Sequence, residues 1–139
     1  MKTIKLVTIV VFLMLTCAKD AKTQHTSEKA EVILIVKGMK EANGSILFAA
    51  GNQADRQSML TGMEPVSSTD SIVCVIHNVP VGTTGIYVFQ DMNNNFMLDM
   101  ENNVPIERCQ NKNNVDIRPG KNRIEINLVD VREIIKKQE

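Results

Sequence analysis

Between about residue 30 and residue 130 the chain is cut into short apolar runs by residues that turn the backbone, and no window holds a sustained helical period. Runs of this length with period-2 alternation are the pattern of an all-β domain, because a strand sends successive side chains to opposite faces. Strands are expected at about Glu31 to Lys37, Ser45 to Ala50, Ser71 to His77, Gly85 to Gln90, Asn114 to Arg118 and Arg123 to Val129. In the first, Val32, Leu34 and Val36 share one face and Ile33 and Ile35 the other, so this strand is expected to sit centrally or to be covered on both sides. In the last, Ile124, Ile126 and Leu128 alternate with Arg123, Glu125 and Asn127, the pattern of a strand with one wet face. Asn43-Gly44, Pro80-Val81-Gly82 and Pro119-Gly120 supply turn chemistry between runs. Residues 51 to 70 are polar apart from Met59, Leu60 and Met63 and read as a long connection with room for one helical turn. Beyond Val129, the residues Val131, Ile134 and Ile135 fall at helical spacing, which fits either a short helix on a sheet edge or a solvated tail. The expectation is one antiparallel β-sandwich of about seven strands over 30 to 130, with a tail at 131 to 139.

The start of the chain reads as an export signal over residues 1 to 18. Lys2 and Lys5 precede an apolar run from Leu6 to Leu15 interrupted by Thr8. That run is about ten residues long, where a membrane-spanning helix needs about 20. Two exits fit. Thr16-Cys17-Ala18 places small residues suitably for ordinary signal cleavage before Lys19, and Leu15-Thr16-Cys17 is close to a bacterial lipobox in which Cys17 is lipidated. Residues 19 to 29 are polar and suit a flexible tether. The expected location is therefore the periplasm, cell surface or exterior, with an outer-membrane lipoprotein as one form and a lipid anchor as the sole membrane contact.

Loss of residues 1 to 18 removes Lys2 and Lys5 from sixteen basic residues and leaves sixteen acidic ones, a net charge of −2. That balance, with scattered lysines and few aromatics, excludes an obvious nucleic-acid binder.

The densest chemistry lies at Asp91-Met-Asn-Asn-Asn-Phe-Met-Leu-Asp99. Oxygen-bearing side chains recur at Asp91, Asn93 and Asn95, with a further carboxylate at Asp99; this is the rhythm of a calcium loop, in which alternate side chains point inward and backbone carbonyls such as that of Met97 fill gaps. Glu101 stands one residue before the twelfth position, Asn102, where a bidentate carboxylate normally closes the shell, and Glu101 or Glu107 would have to fold back. The competing reading needs no ion: Asp and Asn build turns by bonding nearby backbone. Ca2+ is the expected cofactor if there is one, bound weakly.

With those residues in view, the run from Pro80 to Asn114 resembles the bacterial family known as domain of unknown function 2141. Its members carry a strand entering an Asp-x-Asn-x-Asn-Gly-x-x-Asp loop, then Gly-x-Pro-x-Glu and a Ser-Asn-Asn element. Asp91, Asn93, Asn95 and Asp99 fall on the loop positions, Pro105 and Glu107 on Pro-x-Glu, and Asn113 and Asn114 on the final pair, while Gly82 matches the turn before the strand. Phe96, Asn103 and Lys112 stand where the family has Gly, Gly and Ser. A bulky aromatic at 96 would be strained at positive φ, and asparagines at 93, 94 and 95 can take left-handed conformations, which leaves the turn room to move one residue earlier. The resemblance implies export, an immunoglobulin-like or transthyretin-like sandwich, and no established activity.

Once Cys17 is cleaved off or lipidated, Cys74 and Cys109 form an even pair in an oxidising compartment, where a disulfide is one outcome. Cys74 lies among Ile72, Val73, Val75 and Ile76, however, where a buried thiol is the ordinary reading. Cys74 and His77 are three apart in a strand and face opposite ways, so they cannot form a catalytic dyad. Tyr87 and Phe89 share a face with Asp91 and read as core or sheet-surface packing in preference to a ligand platform, and His25 falls in the tether. No phosphate loop, Cys-x-x-Cys pair or nucleophile elbow is present. The chain is expected to be an accessory, binding or structural module and not an enzyme. Its partner is unspecified, a protein or glycan ligand being the metal-independent alternative, and a secreted hydrolase or inhibitor using the acidic loop the remaining one.

Overall fold

The computed structural model describes residues 28–139, so the signal segment, Cys17, His25 and nearly all of the tether lie outside the described residues. Nine strands and one α-helix follow in order, besides a 3-10 helix between the second and third strands: β1 Lys29–Lys37, β2 Ser45–Gly51, β3 Leu60–Pro65, β4 Ile72–Pro80, β5 Gly82–Asp91, β6 Met100–Glu101, β7 Val104–Pro105, β8 Cys109–Ile117, β9 Gly120–Asn127 and α1 Val131–Gln138. They form a three-stranded sheet in the order β4-β1-β9 and a four-stranded sheet in the order β3-β2-β5-β8, with β6 and β7 as a separate hairpin. No helix among the described residues is long and apolar enough to cross a membrane.

The two sheets stack as a sandwich because each strand keeps one apolar face. Val32, Leu34 and Val36 are fully buried on β1, opposite Ile46 and Phe48 of β2 and Ile86 and Val88 of β5 in one continuous core. β1 is central in its sheet, as its two-sided apolar pattern predicts. Its pairing with β4 is antiparallel, but that with β9 is parallel, Ala30 facing Gly120 and Lys37 facing Asn127. The first and last strands thus close the sheet side by side, a departure from the all-antiparallel expectation.

Two strand assignments differ. Leu60–Pro65, read as connection, is a strand on the edge beside β2, preceded by a 3-10 helix at Gln53–Ser58. β8 begins at Cys109 rather than Asn114 because Gln110 to Asn113 look like loop by type yet pair with β5. The C-terminal spacing does form a helix, capped by Asp130, whose side chain accepts the Arg132 backbone N–H at 3.0 Å. The β1–β4 and β5–β8 ladders each carry a β-bulge, and each places an asparagine, Asn78 or Asn114, at positive φ. Asparagine tolerates that region better than most residues.

Candidate functional site

β5 delivers Asp91 to the end of the four-stranded sheet, and the chain then wraps around its carboxylate. Asp91 is fully buried. Its Oδ1 accepts the backbone N–H of Asn95 at 3.2 Å and its Oδ2 that of Phe96 at 2.9 Å. Asn93 and Asn95 act as Asx turns, their Oδ1 atoms accepting the N–H groups of Asn95 and Met97 at 3.2 and 3.0 Å. Their amide nitrogens both point to Asp99, donating to Oδ2 at 2.7 Å and to Oδ1 at 2.8 Å. The closeness of the chain here has a steric condition: Gly44, at φ +68°, would place a Cβ 2.2 Å from the Asp91 carbonyl oxygen.

Glu107 does fold back. Asn102 and Asn103 have φ of +51° and +62°, the two positive values a type I′ turn needs, and join β6 to β7 as a tight hairpin. Asparagine at 103 therefore fills the role of the family's glycine. The reversal buries Glu107, whose Oε1 accepts the Met92 N–H at 2.9 Å and whose Oε2 accepts the Asp99 N–H at 3.2 Å. Burial pushes the Glu107 carboxyl above the ordinary range; the two backbone donors oppose this, and the Asp99 and Asp91 charges add to it. None of the ion pairs among the described residues includes Asp91, Asp99 or Glu107.

The structure thus brings Asp91, Asn93, Asn95, Asp99 and Glu107 together. Glu101 stands apart, exposed on β6; Met97, whose expected contribution is its backbone carbonyl, has its side chain exposed in the loop. Among the described residues no three His, Cys, Asp or Glu side chains are grouped as a metal centre requires. The turn did not move away from position 96. Asn94 and Phe96 both have positive φ, +55° and +62°, and the Phe96 ring is 65 % exposed.

Cys74 and Cys109 are both free in the structure, the first of them in the buried setting that its apolar neighbours suggest. Cys74 faces the core from β4, and burial with the nearby Glu64 charge pushes its thiol up to about 12. Cys109 pairs with Phe89 on the four-stranded sheet, half-buried, its thiol also raised by burial. His77 is exposed on the other sheet, 3.2 Å from Glu31.

Two residues carry more than their types announced. Gln90 is 1 % exposed and donates from its amide to the carbonyls of Glu41 and Asn43, both at 3.0 Å, tying the β1–β2 connection to β5. Arg108 donates to the carbonyls of Gly38 and Leu128, joining that connection to the end of β9. The available signal was the adjacency of each polar residue to the acidic loop, which alone does not say that it turns inward.

No curated protein and no solved structure matches the chain. A family model matches residues 34–134, which take in both sheets and the acidic loop. On that match the chain belongs to the bacterial family described as uncharacterized protein conserved in bacteria, DUF2141.

Proposed function

We propose that this is an exported accessory module that binds a partner rather than transforming one, with the acidic loop as a structural clasp for one end of the four-stranded sheet. The observation that carries the reading is that Asp91, Asp99 and Glu107 each use both carboxylate oxygens to accept N–H donors of the loop and hairpin themselves. Carboxylates so committed serve the fold, whereas a general acid or base needs an oxygen aimed at a substrate. The test is a substitution of Asp99 by Ala. The clasp reading expects a lower melting temperature and an altered loop with ligand binding elsewhere on the sheet retained; loss of a turnover with an unchanged melting temperature would overturn it.

A second reading, calcium at the same loop, is favoured by charge. Three neighbouring carboxylates, two of them buried, face no basic side chain, and buried charges are normally paired or bound to a metal. The donors are all oxygen or amide, which suits a hard cation and not zinc or copper. Rotation of the Asn93 and Asn95 amides would turn their oxygens toward Asp99. Asp91, Asn93, Asn95, Asp99 and Glu107 would then hold the ion, which would supply charge neutralisation only. Melting curves with excess calcium and with chelator test it, because an ion bound only by the folded state raises stability by mass action. Identical curves would remove calcium from the account.

A further inference from the structure

The outer faces of the two sheets differ in kind. That of the three-stranded sheet is charged and internally paired, with Lys37 to Glu125 at 3.0 Å, Lys121 to Glu31 at 3.8 Å and His77 to Glu31 at 3.2 Å. Three adjoining depressions of about 450, 370 and 310 Å³ cross the four-stranded sheet, and no Asp, Glu, Lys or Arg lines any of them. Tyr87 lines all three.

The depressions divide by chemistry along β5. Toward the acidic loop the lining is apolar: Leu47, Met63 and Phe89 with Phe96 overhanging. Toward the other end it is neutral and polar: Asn52, Thr83, Thr84, Asn113 and Asn114. The bulge opposite Thr84 and Ile86 is what turns this part of β8, with Asn114 at φ +56°. The Asn113 Oδ1 accepts the Tyr87 hydroxyl at 3.4 Å; the amide nitrogen of Asn113 and the side chains of Thr83 and Asn114 engage no other described residue. Gly85 leaves room for the tyrosine, since a Cβ there would lie 2.4 Å from Tyr87 Oη.

We propose that this face binds a neutral oligosaccharide across Tyr87. A sugar ring has an apolar C–H face, which packs on an aromatic ring, and a rim of hydroxyls, each both donor and acceptor, which matches side-chain amides and threonine hydroxyls. A phosphate chain or acidic peptide would find no cation here, and a purely apolar ligand would leave the amide half of the face desolvated without partners. The inference deepens the binding-module reading by naming the ligand class and does not depend on calcium.

Tyr87 is the single tyrosine of a chain with no tryptophan, so its emission reports on this face directly. The purified protein would be titrated with cellohexaose, maltohexaose and chitohexaose, and separately with phosphatidylcholine vesicles and an uncharged apolar peptide. A saturable emission change with at least one hexasaccharide is expected. By calorimetry, Asn113→Ala should weaken binding about tenfold, the effect of one lost hydrogen bond to a ligand, Tyr87→Phe should keep most of it and Tyr87→Ala should lose it. Melting temperatures of the variants separate unfolding from loss of the site. No response to any hexasaccharide, or sugar affinity unaltered in Tyr87→Ala and Asn113→Ala, would overturn the proposal. A response to vesicles or peptide alone would overturn it too while leaving the wider binding-module reading standing.

Discussion

The buried carboxylate of Asp91 accepts the backbone N–H of Phe96 at 2.9 Å, and Phe96 occupies the left-handed region at φ +62°. A bulky residue there is held against its own preference, at about 1 to 2 kcal/mol relative to the right-handed alternatives. The neighbouring bond from the Asn95 N–H to the same carboxylate means that one side chain organises two consecutive donors. The loop is built from its first residue outward.

Asp91→Ala should therefore leave the Phe96 N–H without an acceptor in a partly buried setting, while the Asn95 N–H keeps the Asn93 Oδ1. One such orphaned group costs about 1 to 3 kcal/mol, and a loss of about that size is expected from urea unfolding. Asp91→Asn, which keeps one acceptor oxygen, should lose less. Equal stability of the wild type and Asp91→Ala would show that the loop is not organised in this way.

Phe96→Gly should stabilise. The ring is 65 % exposed, so little burial is given up, and glycine removes the strain at φ +62°. Against the flexibility that glycine adds to the unfolded chain, a net gain of about 0.5 to 1 kcal/mol is expected. A fall in the melting temperature would instead assign the Phe96 ring a packing role on the groove it overhangs.

What the sequence displayed and what it hid divide along physical lines. The core strands were legible because Val32, Leu34 and Val36, or Ile72, Cys74 and Ile76, alternate and nothing else buries such a pattern. β3 was not legible, since an edge strand need cover only one side and Thr61, Met63 and Pro65 are exposed. The start of β8 was hidden for a related reason: Asn111 and Lys112 are poor strand formers by type, and only pairing with β5 makes them one. At the site, the spacing of Asp91, Asn93, Asn95 and Asp99 displayed a carboxylate-centred loop. The inward turn of Glu107 depended on a hairpin of two asparagines, and that of Gln90 on the path of the β1–β2 connection. Such contacts join residues far apart in the chain, so no local pattern announces them.

The two thiols should separate under alkylation of the native protein. Cys74 is buried and pushed up to about 12, so its reactive thiolate is scarce at neutral pH, whereas Cys109 is half-buried on an outer face with a smaller elevation. Mass spectrometry after exposure to iodoacetamide should find Cys109 modified and Cys74 modified only after denaturation. Recovery of a peptide pair joined through Cys74 and Cys109 would contradict the free thiols.

Glu107 gives the loop a pH dependence of defined sign. Its carboxyl is raised in the folded protein, chiefly by burial, so its contribution to stability is complete below the unfolded value of about 4.3 and is lost as pH rises through the higher folded value. Glu107→Gln keeps one acceptor and cannot titrate. The melting-temperature advantage of the wild type over this variant should thus be largest near about pH 4 and shrink toward about pH 7. Calcium makes the opposite demand, because a bound cation favours the ionised carboxylate and lowers its pKa. In excess calcium the advantage should then grow toward neutral pH if the ion binds at Glu107, and follow the metal-free profile if it does not. An advantage that grows toward neutral pH in chelator would show that the ionised Glu107 is the stabilising form in the bare loop, contrary to the effect of its burial and of the Asp99 and Asp91 charges.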